Sequence, residues 1–320
     1  MGTWLTERFS LRVPLVGAPM AGPSGGELAA AISRAGGLGM IGAGAAASPQ
    51  WITEQARAAE GTRFGIGLMA WSLPDNPGQL DAVIAARPVL VSVSYGDYQR
   101  YVKPLQENGI AVATQSGTVA DARAAEQAGV DLVVARGGEA GGHGRDTVAT
   151  LPLLQAVLDA IEAPVLAAGG IATGRGLAAV LAAGAAGAWV GTAFLACTEA
   201  ANTAEARARV LASDAGDTAY GRVFDIGQRL GWPPEFGGRA LRNDFFQRWS
   251  GREDELAADH DAQAELVEAK RSGDFDTAYI YAGQSVGLLR EQRPAAQVVA
   301  ELASAADLLR SAAGSIRRDS

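Results

Sequence analysis

Residues 164–192 begin Pro164-Val165-Leu166-Ala167-Ala168-Gly169-Gly170-Ile171, continue through an Ala-rich stretch opened by Thr173-Gly174, and end Ala188-Trp189-Val190-Gly191-Thr192. The first run is apolar nearly throughout and too short for a helix, which is how a strand buried on both faces reads. Residues 174–184 then read as a helix, because Thr173 or Gly174 can open it and Ala and Leu fill it. Gly184 to Gly187 form a turn, and 188–194 is a second apolar strand. Strand, helix and strand in this order make one unit of a parallel sheet.

The same unit recurs outward from this stretch. Strands are expected at 15–19, 39–43, 64–69, 89–94, 110–115, 132–135, 164–168 and 188–194. Helices are expected at about 25–45, 48–60, 77–87, 97–108, 118–128, 150–162 and 174–184, with Gly36 and Gly37 cutting the first one short. Eight strands with seven helices between them favour an α/β fold of the (β/α)₈, or TIM-barrel, type over an open doubly wound sheet. A barrel core over 1–197 is expected, then a helical insertion or lid over 198–273, then a C-terminal segment over 274–320 returning to the barrel. The insertion is charged and aromatic, with Trp232, Phe236, Phe245, Phe246 and Trp249 among Arg and Asp and with Pro233-Pro234 as punctuation. Those aromatics read as packing for the most part, with a substrate cover as the alternative. A helical pattern resumes from Ala282 and ends in a polar, frayed tail at 315–320.

Composition narrows the function. The 320 residues carry a net charge of −8, which argues against binding nucleic acid or anionic membranes. Cys197 is the only cysteine and there are only two histidines, so no disulfide and no Cys- or His-based metal site is expected. No signal peptide is evident. The uncharged stretch 176–198 is long enough to span a bilayer but breaks into helix, turn and strand. A cytoplasmic protein is expected.

In a barrel of this kind the site lies at the C-terminal ends of the strands. The sixth strand runs into Gly137-Gly138-Glu139-Ala140-Gly141-Gly142-His143-Gly144. Five glycines in these eight positions cannot make a stable helix or a well-packed strand, but they let the backbone press against a flat or charged ligand. His143 inside them reads as a catalytic base beside a cofactor, or as an incidental His on a mobile loop. Glycine turns after the last two strands, at Gly169-Gly170 and Gly191-Thr192, suggest a phosphate site of backbone N–H groups, helped by a helix N-terminus and the Thr192 hydroxyl.

These residues, with Ala18-Pro19-Met20, Ala35-Gly36-Gly37-Leu38-Gly39, Glu139-Ala140-Gly141-Gly142-His143, Ala167-Ala168-Gly169-Gly170-Ile171 and Ala282-Gly283-Gln284, resemble the nitronate monooxygenase family, also called 2-nitropropane dioxygenases. The resemblance is strong over about 11–200 and looser beyond. It implies an FMN-dependent (β/α)₈ barrel that oxidises alkyl nitronates, and nitroalkanes, with dioxygen to a carbonyl compound and nitrite. By the resemblance Pro19, Met20, Ala21, Gly67, Gln115, Gly142, Gly169, Gly170, Gly191 and Thr192 would hold the FMN. His143 would be the catalytic base, and Trp71, Tyr281 and Gln284 would line the substrate side. Small-molecule substrate and dioxygen would be the partners, and a homodimer is one assembly it allows. Gly67 stands where many relatives have Asn, Gly144-Arg145 where many read Arg-Gly, and Trp189 where a Gln is frequent, which points to a divergent subgroup.

Two alternatives remain on the sequence alone. The Glu-Ala-Gly-Gly-His run is shared with FMN-dependent enoyl-acyl-carrier-protein reductases, which use NAD(P)H. A non-catalytic flavin- or phosphate-binding barrel would keep the glycine turns but have no use for His143. Glu139 reads as orienting His143 or, preferably, as holding the loop by pairing with Arg136 or Arg175. His260 reads as exposed, and Cys197 as an inert buried residue.

Overall fold

The computed structural model describes residues 1–316. Eight parallel strands close a barrel: β1 (Leu15–Gly17), β2 (Leu38–Gly42), β3 (Phe64–Met69), β4 (Leu90–Ser94), β5 (Ala111–Ser116), β6 (Leu132–Arg136), β8 (Val165–Ala168) and β9 (Gly187–Val190). β9 pairs back to β1 through Val16↔Trp189, which closes the ring. All eight expected strands are present. Their near-continuous apolar character follows from burial on two sides, with the barrel interior on one face and the helices on the other.

Between the barrel strands lie α2 (Gly26–Ala35), α3 (Pro49–Ala58), α4 (Gly78–Ala86), α5 (Gln99–Glu107), α6 (Val119–Gln127), α7 (Thr150–Leu158) and α8 (Gly174–Ala182). Ser48, Thr118 and Thr173 each cap a helix by accepting from the third residue onward. α2 stops at Gly36, whose φ of 110° is open only to glycine, so the expected limit of 45 contracts to Ala35. The place of an eighth helix, against α2 and α8, is taken by α14 (Ala295–Ala303), followed by α15 (Ala305–Ile316). The helical pattern expected from Ala282 thus starts later, after a 3₁₀ turn at Gln284–Leu288. Of the tail read as frayed at 315–320, Ser315 and Ile316 belong to α15, and the rest lies outside the described residues.

α1 (Trp4–Phe9), not foreseen in the sequence, closes the lower end of the barrel. Its Leu5 and Phe9 join Val16, Met40, Leu90, Val134, Leu166 and Trp189 in the interior cluster. A Cβ on Gly187 would lie 2.7 Å from Leu5, so the start of β9 has room for this plug only as glycine. Trp189, the departure at a position where Gln is frequent, is therefore barrel filling.

The stretch 176–198 holds most of α8, all of β9 and a 3₁₀ turn, and no helix among the described residues is long and apolar enough to cross a membrane.

The inserted segment contains α9 (Ala204–Leu211), α10 (Val223–Gly227), α11 (Asp244–Trp249), α12 (Glu253–Ala258) and α13 (His260–Ser272). It also contributes two strands absent from the sequence reading, β10 (Thr218–Gly221) and β11 (Gly237–Leu241). These two and β7 (Gly142–Gly144) form an antiparallel sheet in the order β10-β11-β7. The glycine loop therefore does contribute a strand, contrary to expectation. Gly238 of β11 sits opposite His143, and its missing Cβ leaves room for the imidazole and for Tyr281. Val223, Phe224, Phe245, Phe246, Trp249, Leu256 and Leu266 give the segment a core of its own. The aromatics thus divide: Phe245, Phe246 and Trp249 pack there, while Trp232 and Phe236 go to the barrel mouth.

Candidate active site

The glycine run is held along its whole length. Buried Arg136, at the end of β6, donates to the carbonyls of Ala140 (2.9 Å), Gly141 (3.3 Å) and Gly142 (2.7 Å), and to Gly137 at 3.4 Å. Burial pushes its guanidinium pKa down, yet an arginine stays charged at any ordinary pH. Arg239 of β11 donates to Gly138 O at 2.8 Å and pairs with Asp146 at 2.7 Å. Gln284 N–H donates to Glu139 O, the Tyr95 hydroxyl to His143 O, and the Tyr220 hydroxyl to Gly144 O. Every carbonyl from Gly137 to Gly144 thus accepts a hydrogen bond, and the reading of a mobile loop is set aside.

His143 emerges from this scaffold with three neighbours. Its Nε2 lies 2.7 Å from Oδ1 of Asp225, its ring stacks on Trp232 at 3.6 Å with planes 3° apart, and Tyr281 tilts against it at 4.9 Å. The Tyr281 hydroxyl also donates to Asp225 Oδ1, at 2.9 Å. Burial first, and the charge of Asp225 second, raise the Tyr281 pKa well above its ordinary value, so the hydroxyl keeps its proton. Asp225 is 1% exposed and its Oδ2 has no partner. His143 Nδ1 makes no hydrogen bond among the described residues and keeps contact with solvent.

Trp71 and Tyr95 both lie 5.2 Å from Trp232, and Phe236 lies 5.3 Å from Tyr95. Tyr95 adopts a φ of 66°, an outlier for a bulky residue, directly after β4. Its hydroxyl on the His143 carbonyl gives that conformation a purpose. Tyr95 and Asp225 are candidate site residues that the sequence reading did not single out, and Trp232 was read there only as one of an aromatic set expected mostly to pack. The one available hint was an acid set among apolar residues, Val223-Phe224-Asp225-Ile226.

Next to the glycine run, β8 is followed by Gly169 (φ 117°) and Gly170 (φ 70°). The N–H groups of Gly169, Gly170 and Ile171 meet no acceptor among the described residues. They precede α8, whose first turn holds no acidic residue. Thr192 Oγ1 accepts from Gly283 N–H at 3.0 Å, which leaves the Thr192 O–H free to donate. Unpaired donors just before a helix N-terminus, two of them on residues without Cβ, fit the phosphate of a flavin nucleotide.

The other expected residues are placed as follows. Pro19, Met20 and the exposed Ala21 follow β1, and a concavity lined by Gly22, Gly42, Gly44 and Trp51 opens beside them. Gly67 is buried, and a Cβ there would run into the Pro19 ring, so an Asn at this position would require Pro19 to shift. Gln115 is half-buried at the end of β5, Gly191 lies beside Ala18 and Met20, and Gln284 is exposed. Trp71 leaves its buried Nε1 without a partner. Glu139 pairs with neither Arg136 nor Arg175. Both carboxylate oxygens accept the Thr150 N–H at 3.1 Å, capping α7, because Arg136 is already surrounded by carbonyls. His260 is exposed, and Cys197 is buried with its thiol pushed up to about 12 by desolvation. The larger concavity, about 490 Å³, lies elsewhere, between α10 and α13.

Barrel and mouth together describe a (β/α)₈-barrel enzyme whose histidine is set by an inserted segment. The chain belongs to the nitronate monooxygenase family, whose model matches residues 50–305. That family consists of flavin-dependent oxidoreductases. Among solved structures, FabK from Thermotoga maritima superposes with a TM-score of 0.87 at 29% identity, covering 100% of both chains. A nitroalkane oxidase from Streptomyces ansochromogenes superposes with a TM-score of 0.81 at 30% identity, covering 96% of this chain and 99% of that one. A (3aS,4S,5R,7aS)-5-hydroxy-7a-methyl-1-oxo-octahydro-1H-indene-4-carboxyl-CoA dehydrogenase from Rhodococcus jostii is 35% identical over 183 residues, covering 55% of this chain and 50% of the relative. The chain thus spans about half the length of that curated relative.

Proposed function

We propose that this chain is an FMN-dependent enzyme that oxidises alkyl nitronates, and the nitroalkanes from which they derive, with dioxygen to a carbonyl compound and nitrite. The observation that carries the proposal is the imidazole of His143, with Nε2 engaged by a buried carboxylate and Nδ1 open at the barrel mouth. A neutral imidazole with one free nitrogen is a general base near neutral pH.

Gly169, Gly170, Ile171 and Thr192 would hold the FMN phosphate. Pro19, Met20, Ala21, Gln115, Gly142 and Gly191 would surround the ring. Bound there, FMN would supply the electron transfer between an electron-rich substrate and dioxygen. The chain's own residues supply the rest. Nδ1 of His143 takes the proton on the carbon next to the nitro group. Trp71, Trp232, Tyr95 and Phe236 exclude water around that carbon. A preformed nitronate has already lost the proton and needs only binding and orientation.

A second reading is favoured by the full-length superposition on FabK: NAD(P)H-dependent reduction of an enoyl thioester on the same scaffold. The two are separated by mixing the flavin-loaded protein anaerobically with NADH, and in air with a nitronate. Nitrite release in air, with the flavin colour stable to NADH, is the expected result. Rapid bleaching by NADH with no nitrite from nitronate would overturn the proposal.

A further inference from the structure

We infer that Asp225 is the positioning residue of His143: it holds the imidazole in the Nε2–H tautomer and so turns Nδ1 into the base. This rests on the functional reading above only where turnover is concerned, since the tautomer itself is a property of the protein.

The argument begins with acceptor capacity. An ionised carboxylate can only accept hydrogen bonds. Oδ1 of Asp225 lies 2.7 Å from His143 Nε2 and 2.9 Å from the Tyr281 hydroxyl. Both partners must therefore donate, which places the imidazole proton on Nε2. A neutral imidazole carries one such proton, so the lone pair is on Nδ1, the nitrogen that has no partner.

Packing then explains why the carboxylate stays in place. Asp225 sits on α10, whose Val223 and Phe224 are anchored in the insertion's own core beside Phe245, Phe246 and Leu266. The Tyr281 hydroxyl holds the same oxygen from the segment after α13. Oδ2 is buried without a partner, a costly arrangement for a charged group. A carboxylate kept at such a cost, 82 positions from its partner, points to a task in chemistry rather than in stability.

The proton bookkeeping closes. The C–H bond next to the nitro group breaks, its electron pair moves onto the nitro oxygens, and the proton forms a new N–H bond at Nδ1. The imidazolium then faces Asp225 across 2.7 Å, so the buried pair is neutral overall. The Trp232 face adds a favourable contact with the new cation. The inserted segment thus supplies both the orienting acid and the aromatic face, and the base is complete only when that segment is folded onto the barrel.

The chain's two histidines make the test direct. In ¹⁵N-histidine-labelled, FMN-loaded protein, His143 is expected as a single Nε2–H tautomer. Asp225→Asn can donate through its amide to Nε2, and is expected to move the proton to Nδ1 while the His260 signals stay in place. The same variant should lose turnover of a neutral nitroalkane by on the order of a hundredfold or more, as with a wrong-tautomer histidine elsewhere, and of the nitronate far less. Tyr281→Phe keeps the carboxylate, which still can only accept, and should leave the Nε2–H tautomer in place. Asp225→Ala removes the acceptor, should release His143 into a mixture of tautomers, and carries the test if Asp225→Asn folds poorly. An unchanged His143 tautomer in both Asp225 variants, or equal losses on both substrates, would overturn the inference. If the wild-type protein turns over neither substrate, the functional reading fails, and the tautomer measurement alone decides the role of Asp225.

Discussion

Two glycine-rich stretches lie against each other at the barrel mouth, and their backbones have opposite fates. In Gly137–Gly144 every carbonyl accepts a hydrogen bond, several of them from two buried arginines. In Gly169–Ile171 the N–H groups have no acceptor among the described residues. A Cβ on Gly169 would lie 3.3 Å from Ala140, so the two differ in use and not in place. Glycine content therefore says little about mobility. One stretch is a saturated scaffold that carries His143, and the other presents a row of N–H groups with no acceptor among the described residues.

The largest expected effect falls on the side chain that the scaffold aims. His143→Ala should lower turnover of a neutral nitroalkane by about 10²–10⁴-fold, the usual worth of a general base. Turnover of a preformed nitronate should fall far less, because its proton is already gone. Nitrite release from both substrates at one pH reads this directly. Equal retention of both would end the assignment of the base.

Next comes the scaffold itself. Arg136→Met removes the donors to Ala140, Gly141 and Gly142 and leaves buried carbonyls unpaired. A loss of about 3 kcal/mol or more in urea unfolding is expected. A loss below about 1 kcal/mol would show that these hydrogen bonds do not hold the loop, and the contrast between the two stretches would blur.

The open donors are tested by charge. Gly170 has a φ of 70° and a nearly free Cβ position, which Asp tolerates. Gly170→Asp would put a carboxylate where a phosphate is expected, costing about 1–3 kcal/mol, or roughly ten- to a hundredfold in FMN affinity. Riboflavin lacks the phosphate and serves as the control in the same fluorescence titration. If FMN and riboflavin weaken alike, the phosphate does not sit at this turn.

The two stretches were also unequally legible. The barrel could be read from the sequence because strands buried on both faces are apolar throughout, and Val165–Ala168 or Leu132–Arg136 hardly admits another reading. The free donors at Gly169-Gly170 were legible for a related reason, since a glycine pair between such a strand and a capped helix leaves few options. The fixing of the other loop was not. β7 forms because β11 brings two glycines, Gly237 and Gly238, against it, which no local propensity encodes. Asp225 and Trp232 reach His143 from the insertion, one as a single acid among 35 acidic residues and the other as one of seven aromatics in a segment that mostly packs on itself. Only the three-dimensional fold could select them.

The smallest effect is expected at Glu139, which stands between the two stretches. Its carboxylate accepts the Thr150 N–H, and the Thr150 hydroxyl in turn donates to the carbonyl of Ala168, one residue before Gly169. Glu139 thus ties the saturated loop to the strand that leads into the open one. Glu139→Gln keeps an acceptor but loses the charge at the N-terminus of α7, so about 0.3–1 kcal/mol of stability should go. The ratio of nitroalkane to nitronate turnover should not move, because no contact runs from Glu139 to the imidazole. FMN affinity should drop slightly, since the cradle leans on the same cap. A selective loss of nitroalkane turnover would instead make Glu139 a second orienting acid, and the division between a loop that aims and a turn that binds would have to be redrawn.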